Sequence, residues 1–220
     1  MPLLGKPAPF DHTEWLFELK YDGLRSFVVI QNGRTELISR NGNSFKSFET
    51  LRKQLKSPYQ GKTVLDGEIV CLDRRGKPQF RDLLFHRGEL CFFAFDLLMT
   101  DGKDLRTEKL TDRKQELRRL LSKLPESRMR YADHVEHYGV ALFERVCKLD
   151  LEGIVAKHSL APYTTERTTW FKIKNRNYSQ MAGREELFKR ERHHEPVAGW
   201  HSCELACARW RMHCDSVKAK

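Results

Sequence analysis

Two periodicities divide the chain. Strand-like stretches dominate its first hundred residues and helical spacing appears after them. Trp15 to Lys20 and Gly23 to Gln31 are rich in aromatic and β-branched residues, Asn32-Gly33 supplies a hairpin turn, and Arg34 to Arg40 forms the returning strand. A second turn signal, Asn41-Gly42, follows. Lys62 to Asp73 reads as a strand-pair region interrupted at Asp66-Gly67, and Leu90 to Leu98 as a buried strand closed by Asp101-Gly102. From Thr111 the period changes. Leu117, Leu120, Leu121 and Leu124 fall on one helical face, with Thr111 as N-cap and Pro125 as the stop. A second helix is expected over Val140 to Lys148, a strand over Gly153 to Lys157, and a last strand over Trp170 to Lys174 that points Lys172 and Lys174 to one face.

With no internal repeat or low-complexity linker, residues 1–178 read as one α+β unit. Residues 179–220 differ: they carry charge clusters and little strand patterning, and read as a short tail in which Tyr178 to Lys189 forms a short helix. A chain of 220 residues can bury roughly 70 to 75% of its unfolded surface, enough for a true core. Apolar content of 40% argues against wholesale disorder.

Charge changes the picture more than composition does. Forty basic against thirty acidic residues give a net charge of +10, which favours polyanionic partners such as nucleic acid. The most apolar stretch, Leu90 to Met99, is too short to cross a bilayer and is interrupted by Asp96, and the start of the chain lacks a signal-peptide core. No membrane partner and a cytoplasmic location are expected. Six irregularly spaced cysteines fit a reducing compartment rather than a disulfide framework.

The candidate chemistry begins at Glu18-Leu19-Lys20-Tyr21-Asp22-Gly23-Leu24-Arg25, where a lysine stands at a strand end beside a carboxylate and an arginine. A lysine nucleophile must be neutral to attack, so its free pKa of about 10.4 has to be overcome by desolvation or neighbouring cations, for which Lys172, Lys174 and Arg25 are candidates. Taken alone, the segment reads equally as a hairpin with a surface lysine.

Five segments taken in order carry a resemblance. Lys20-Tyr21-Asp22-Gly23-Leu24-Arg25 resembles the K-x-D-G-x-R nucleophile motif of ATP-dependent DNA ligases and their covalent nucleotidyltransferase relatives. Asp66-Gly67-Glu68 resembles the family's D-G-E, Phe93-Ala94-Phe95-Asp96 its aromatic segment, Glu152-Gly153-Ile154-Val155-Ala156-Lys157 its E-G-x-x-x-K, and Lys172-Ile173-Lys174 its final K-x-K. The likeness spans roughly residues 10–175. Ser39-Arg40-Asn41-Gly42 and Phe95-Asp96-Leu97-Leu98 look closest to bacterial ligases of the end-joining repair type.

The resemblance implies an ATP-grasp-like nucleotidyltransferase fold with antiparallel sheets flanked by helices over residues 1–178. It implies that Lys20 is the nucleophile that takes AMP from ATP. Arg25 and Arg40 would hold phosphate or ribose, Glu68 the ribose, Phe95 the adenine face and Glu18 the adenine amine, in part through its backbone. Lys172 and Lys174 would contact the α-phosphate. Glu152, with Glu68 or Asp22, would position Mg²⁺ or Mn²⁺, hard cations that prefer carboxylate, water and phosphate oxygen. The implied substrate is nicked or broken duplex DNA, sealed by a monomer working with repair proteins.

One departure stands out. Family members that ligate efficiently carry an OB-fold after K-x-K, and residues 175–220 are too few and too poorly patterned for that module. Lys189, Arg190, Arg192, His193 and His194 form a cluster suited to phosphate, while His201, Cys203, Cys207, His213 and Cys214 match no standard zinc finger. An RNA-ligase-like or capping-like transferase and a non-catalytic DNA-end-binding relative remain as alternatives.

Overall fold

The computed structural model describes residues 4–5, 8–124, 128–164 and 169–184. Eleven strands and four α-helices follow one another among these residues. The first half holds β1 (Leu4–Gly5), β2 (His12–Leu19), β3 (Leu24–Gln31), β4 (Arg34–Ser39), α1 (Glu49–Gln54), β5 (Thr63–Leu72), α2 (Phe80–Leu84) and β6 (Glu89–Thr100). The second holds β7 (Lys103–Asp104), α3 (Leu110–Leu121), β8 (Met129–Tyr131), β9 (His134–His137), α4 (Gly139–Lys148), β10 (Gly153–His158) and β11 (Trp170–Lys174). A 3₁₀ turn at Ser179–Met181 follows.

The strands form two sheets. One has the order β1-β11-β10-β2-β9, and the other runs β4-β3-β5-β6-β7 with β8 beside β6. Pairing is antiparallel except at β1·β11 and β6·β8. Because side chains alternate across a strand, each sheet has one face for a core and one left over. The larger core gathers Val28, Leu65, Ile69, Phe92 and Leu97 under α1, α2 and α3, whose Leu51, Leu83 and Leu117 join it. The smaller core sets Phe17, Ile154, Ala156 and Ile173 against Val146 of α4. Parts of the remaining faces line a cleft between the sheets, into which Glu18, Glu68, Phe95 and Lys172 point, while Val70, Leu72, Cys91 and Phe93 form a third apolar cluster.

Several elements depart from the sequence pattern. Lys62 to Asp73 is not interrupted: β5 runs unbroken through Asp66-Gly67, with only a register shift against β6. Glycine is required there because a Cβ on Gly67 would lie 2.4 Å from the Phe92 ring and 2.5 Å from the Phe93 carbonyl oxygen. Helix α3 begins at Leu110, and Lys109 is its cap position, without a side-chain bond. Thr111 lies inside the first turn, where its N–H donates to the Ser159 carbonyl at 3.1 Å, so a tertiary contact rather than a local cap sets the start. The helix ends at Leu121, one turn before Pro125. Of the helix expected over Tyr178 to Lys189, the described residues show a 3₁₀ turn at Ser179–Met181, and residues 185–189 lie outside them, as do the His and Cys residues of the tail. Among the described residues Cys71, Cys91 and Cys147 are free thiols, and no helix is long and apolar enough to cross a membrane.

Candidate active site

Lys20 follows the last residue of β2, and its backbone N–H donates to the Gly153 carbonyl at 2.9 Å. Two glycines make this junction possible. A Cβ on Gly23 would stand 2.2 Å from the Ile69 carbonyl oxygen, and one on Gly153, at φ +149°, would stand 2.2 Å from that of Ile173. The chain therefore crosses from the first sheet to the second at close backbone contact, and Lys20 projects between them.

The resulting cleft has a cavity volume of about 130 Å³ and a solvent-open mouth. Glu18, Lys20, Arg25, Arg40, Glu68, Phe95 and Lys172 all line it, although they come from six places along the chain. Lys174 shares a face with Lys172 but sits exposed at the end of β11 and does not line the cleft. Glu152 stands at its edge, with Oε1 2.5 Å from the Lys20 Nζ.

Charge is arranged in three groups. In the first, Lys20 and Glu152 form their ion pair while Glu152 Oε2 is buried with no hydrogen-bond partner. Nearby, burial pushes the Glu68 carboxyl up to about 8, against the lowering pull of Lys20 and Arg25 and with a further push from Glu152. Burial, then the positive charges of Lys20, Arg25 and Arg40, bring the Lys172 ammonium down to about 8. In the second, Arg25 forks onto Asp66, with Nε 3.1 Å from Oδ1 and a terminal nitrogen 2.7 Å from Oδ2, and the Tyr163 hydroxyl donates to Oδ2 at 2.8 Å. In the third, Lys114 and Lys157 hold Glu18 from two sides at 2.5 and 2.6 Å. Lys157 also stands 4.3 Å from the Phe95 ring centre and 4.1 Å from that of Trp170. Its burial outweighs Glu18 and lowers its pKa to about 8.

An unpartnered carboxylate oxygen beside a second carboxylate suits a hard divalent cation. Among the described residues no cluster of three or more His, Cys, Asp or Glu could hold a metal by itself. Glu152 and Glu68 are thus suited to a cation that completes its shell with phosphate oxygen and water. Asp22, also considered for this role, is buried instead with Tyr178, whose hydroxyl donates to Oδ2 at 2.9 Å, and with Arg184, 2.7 Å from Oδ1.

This arrangement can place an amine against a phosphate chain held by cations, with an aromatic ring beside the base. A family model described as the ATP dependent DNA ligase domain matches residues 8–174. The chain belongs to that family. Curated relatives of the ligase domain include the multifunctional non-homologous end joining protein LigD of Pseudomonas aeruginosa, 34% identical over 168 residues, which cover 73% of this chain and 20% of that protein. The bifunctional LigD of Bacillus subtilis is 35% identical over 206 residues, covering 79% of this chain and 33% of the relative. The chain therefore spans a fifth to a third of the length of these relatives. Among solved structures, mycobacterial DNA ligase D complexed with ATP and MES superposes with a TM-score of 0.67 at 28% identity, covering 79% of this chain and 60% of that one. The sheets and helices described above are the nucleotidyltransferase fold of those ligase domains.

Two residues that line the cleft, Lys157 and Trp170, and three that stand behind it have no role in the sequence motifs. Lys157 was part of a motif but unassigned, and Trp170 read only as the start of a strand. Tyr163, Arg113 and Lys114 carried no signal, because nothing local marks a residue whose partner is 17 to 97 positions away.

Proposed function

We propose that this chain is the nucleotide-loading module of an ATP-dependent DNA ligase, with Lys20 forming a covalent lysyl-AMP that is passed to a DNA 5′-phosphate for strand joining in repair. The observation that carries the reading is the convergence on one cleft of Lys20, paired with Glu152, and the cations Arg25, Arg40 and Lys172.

The Lys20 nitrogen attacks the α-phosphorus of ATP, an N–P bond forms, and the bond to the leaving pyrophosphate breaks. The amine sheds its proton for this step, and the Glu152 carboxylate at 2.5 Å is within reach of it. Lys172 and Arg40 supply positive charge where the phosphate chain must lie, and stabilise charge that grows on it. Phe95 packs beside the base and Glu68 is placed for the ribose. Mg²⁺, held by Glu152 and Glu68, would neutralise phosphate charge when bound. Transfer to DNA then joins AMP to the 5′-phosphate, and a 3′-hydroxyl expels it to leave a phosphodiester. The chain's excess of basic residues suits the duplex phosphates. We read residues 1–178 as the adenylation domain and 179–220 as a tail. Ser179 and Arg184, which bond Asp150 and Asp22, support a tail whose first turn packs on the domain.

The test is to incubate adenylated protein, freed of ATP, with duplex DNA carrying a 5′-phosphorylated nick. Appearance of AMP-capped or sealed strand is expected. Transfer to nicked RNA in preference to DNA, or none to either, contradicts the DNA ligase reading.

A further inference from the structure

Two adjacent residues of α3, Arg113 and Lys114, are cations at 1% and 2% exposure. Side chains one position apart on a helix diverge by about 100°, so the two leave α3 toward different sheets. Arg113 goes to Asp96 of β6, with Nε 2.7 Å from Oδ1 and a terminal nitrogen 2.9 Å from Oδ2, and its other terminal nitrogen donates to the Glu108 and Ala161 carbonyls. Lys114 goes to Glu18 of β2, with Nζ 2.5 Å from Oε1, 2.9 Å from the Ala132 carbonyl oxygen and 4.6 Å from the Tyr131 ring centre. Asp96 is the neighbour of Phe95, and Glu18 lies two residues before Lys20. One helix turn thus grips the base-side wall of the cleft in one sheet and the nucleophile strand in the other.

A buried cation is costly unless its partners are well placed, and an apolar side chain would serve packing at least as well. Lys157 already neutralises Glu18 from the cleft side, so charge balance alone does not call for a second lysine. What Lys114 adds is a second point of attachment, on the other carboxylate oxygen. It keeps the Glu18 carboxylate from turning about its axis, and it leaves Lys157 beside Phe95 instead of being drawn wholly onto the carboxylate.

We propose that Lys114 is a positioning residue for the adenosine end of the nucleotide site, fixing Glu18 and through it Lys157 against Phe95. The proposal rests on the adenylation reading given above. It assigns Lys114 no contact with the nucleotide.

The test compares pyrophosphate-stripped wild type with Lys114→Met, which keeps an unbranched stem and loses the charge. ATP affinity is measured by calorimetry, competition by inorganic triphosphate in parallel, and lysyl-AMP formation in a single turnover at saturating ATP. The expected result is ATP binding weakened about tenfold, unchanged triphosphate competition, and a saturated adenylation rate within about threefold of wild type. ATP affinity within about twofold of wild type in a cooperatively melting variant overturns the proposal, and so does equal weakening of ATP and triphosphate. Where Lys114→Met fails to melt cooperatively, Lys114→Leu, which likewise loses both the charge and the donor to Glu18, is measured against the same criteria. Wild type that binds ATP without gaining AMP contradicts the adenylation reading alone, and the affinity comparison still decides the role of Lys114.

Discussion

Replacing Asp66 by Asn probes the arginine that the cleft displays. Asp66 is fully buried, and its two oxygens take two bonds from Arg25 and one from the Tyr163 hydroxyl. Asn keeps the shape but removes the charge and turns one acceptor into a donor facing a guanidinium. Breaking a buried ion pair by removing one partner costs about 3 to 5 kcal/mol. The Arg25 side chain is 15% exposed, so water reaches it and the lower figure, about 3 kcal/mol, applies. For a domain of this size that is a melting-temperature drop of roughly 6 to 12 °C. Tyr163→Phe deletes one hydrogen bond to a charged acceptor, about 1.5 kcal/mol or roughly 3 to 6 °C. Because both changes act on one carboxylate, the double variant loses less than their sum. Arg25, which sits 5.7 Å from the Phe95 ring centre and 5.6 Å from that of Trp170, loses its anchor in Asp66→Asn but keeps Asp66 in Tyr163→Phe, so adenylation slows alongside the thermal shift chiefly in the first. Circular-dichroism melts with a parallel adenylation assay read both effects. Melting of Asp66→Asn within about 2 °C of wild type refutes the claim that this pair is buried and structural.

Gly23→Ala sets a Cβ 2.2 Å from a backbone oxygen that cannot rotate away, and overpacking of this kind costs about 1 to 3 kcal/mol. A denaturant midpoint equal to that of wild type would show that the backbones do not approach so closely. Lys172 is charged below about pH 8 and loses its charge as pH rises through that value. Lys157 loses charge over the same window, so both lysines weaken binding of a polyanionic nucleotide toward alkaline pH. In titrations between pH 7 and 9.5, Lys172→Ala should bind ATP more weakly at pH 7, adenylate more slowly and show a shallower alkaline decline. An undiminished decline assigns the effect elsewhere.

How much was legible depended on whether a residue's meaning is local. Strand alternation placed Trp170 to Lys174, and a continuous apolar run placed Leu90 to Leu98, where the structure has strands, since both patterns are written in consecutive residues. The ordered motifs singled out Glu18, Lys20, Arg25, Arg40, Glu68, Phe95 and Lys172, and the fold gathers all seven into one cleft. Lys174 was grouped with Lys172 by the same alternation, but strand pairing ends there and leaves it in solvent. Asp66-Gly67 looked like a turn because that pair commonly makes one, whereas here the glycine admits the Phe92 ring. Arg113 and Lys114 stand in the predicted helix with no role in any motif. Their burial follows from Asp96 and Glu18, carboxylates on strands of two different sheets, and no helical pattern records such partners.

The central claim is that Lys20 carries AMP, and intact-mass spectrometry tests it most directly. Pyrophosphate-stripped wild type and Lys20→Ala are incubated with ATP and Mg²⁺, and each is weighed after the nucleotide is removed. The account predicts one added adenylate in wild type and none in a folded Lys20→Ala; an adenylate on the variant, or none on folded wild type, contradicts it.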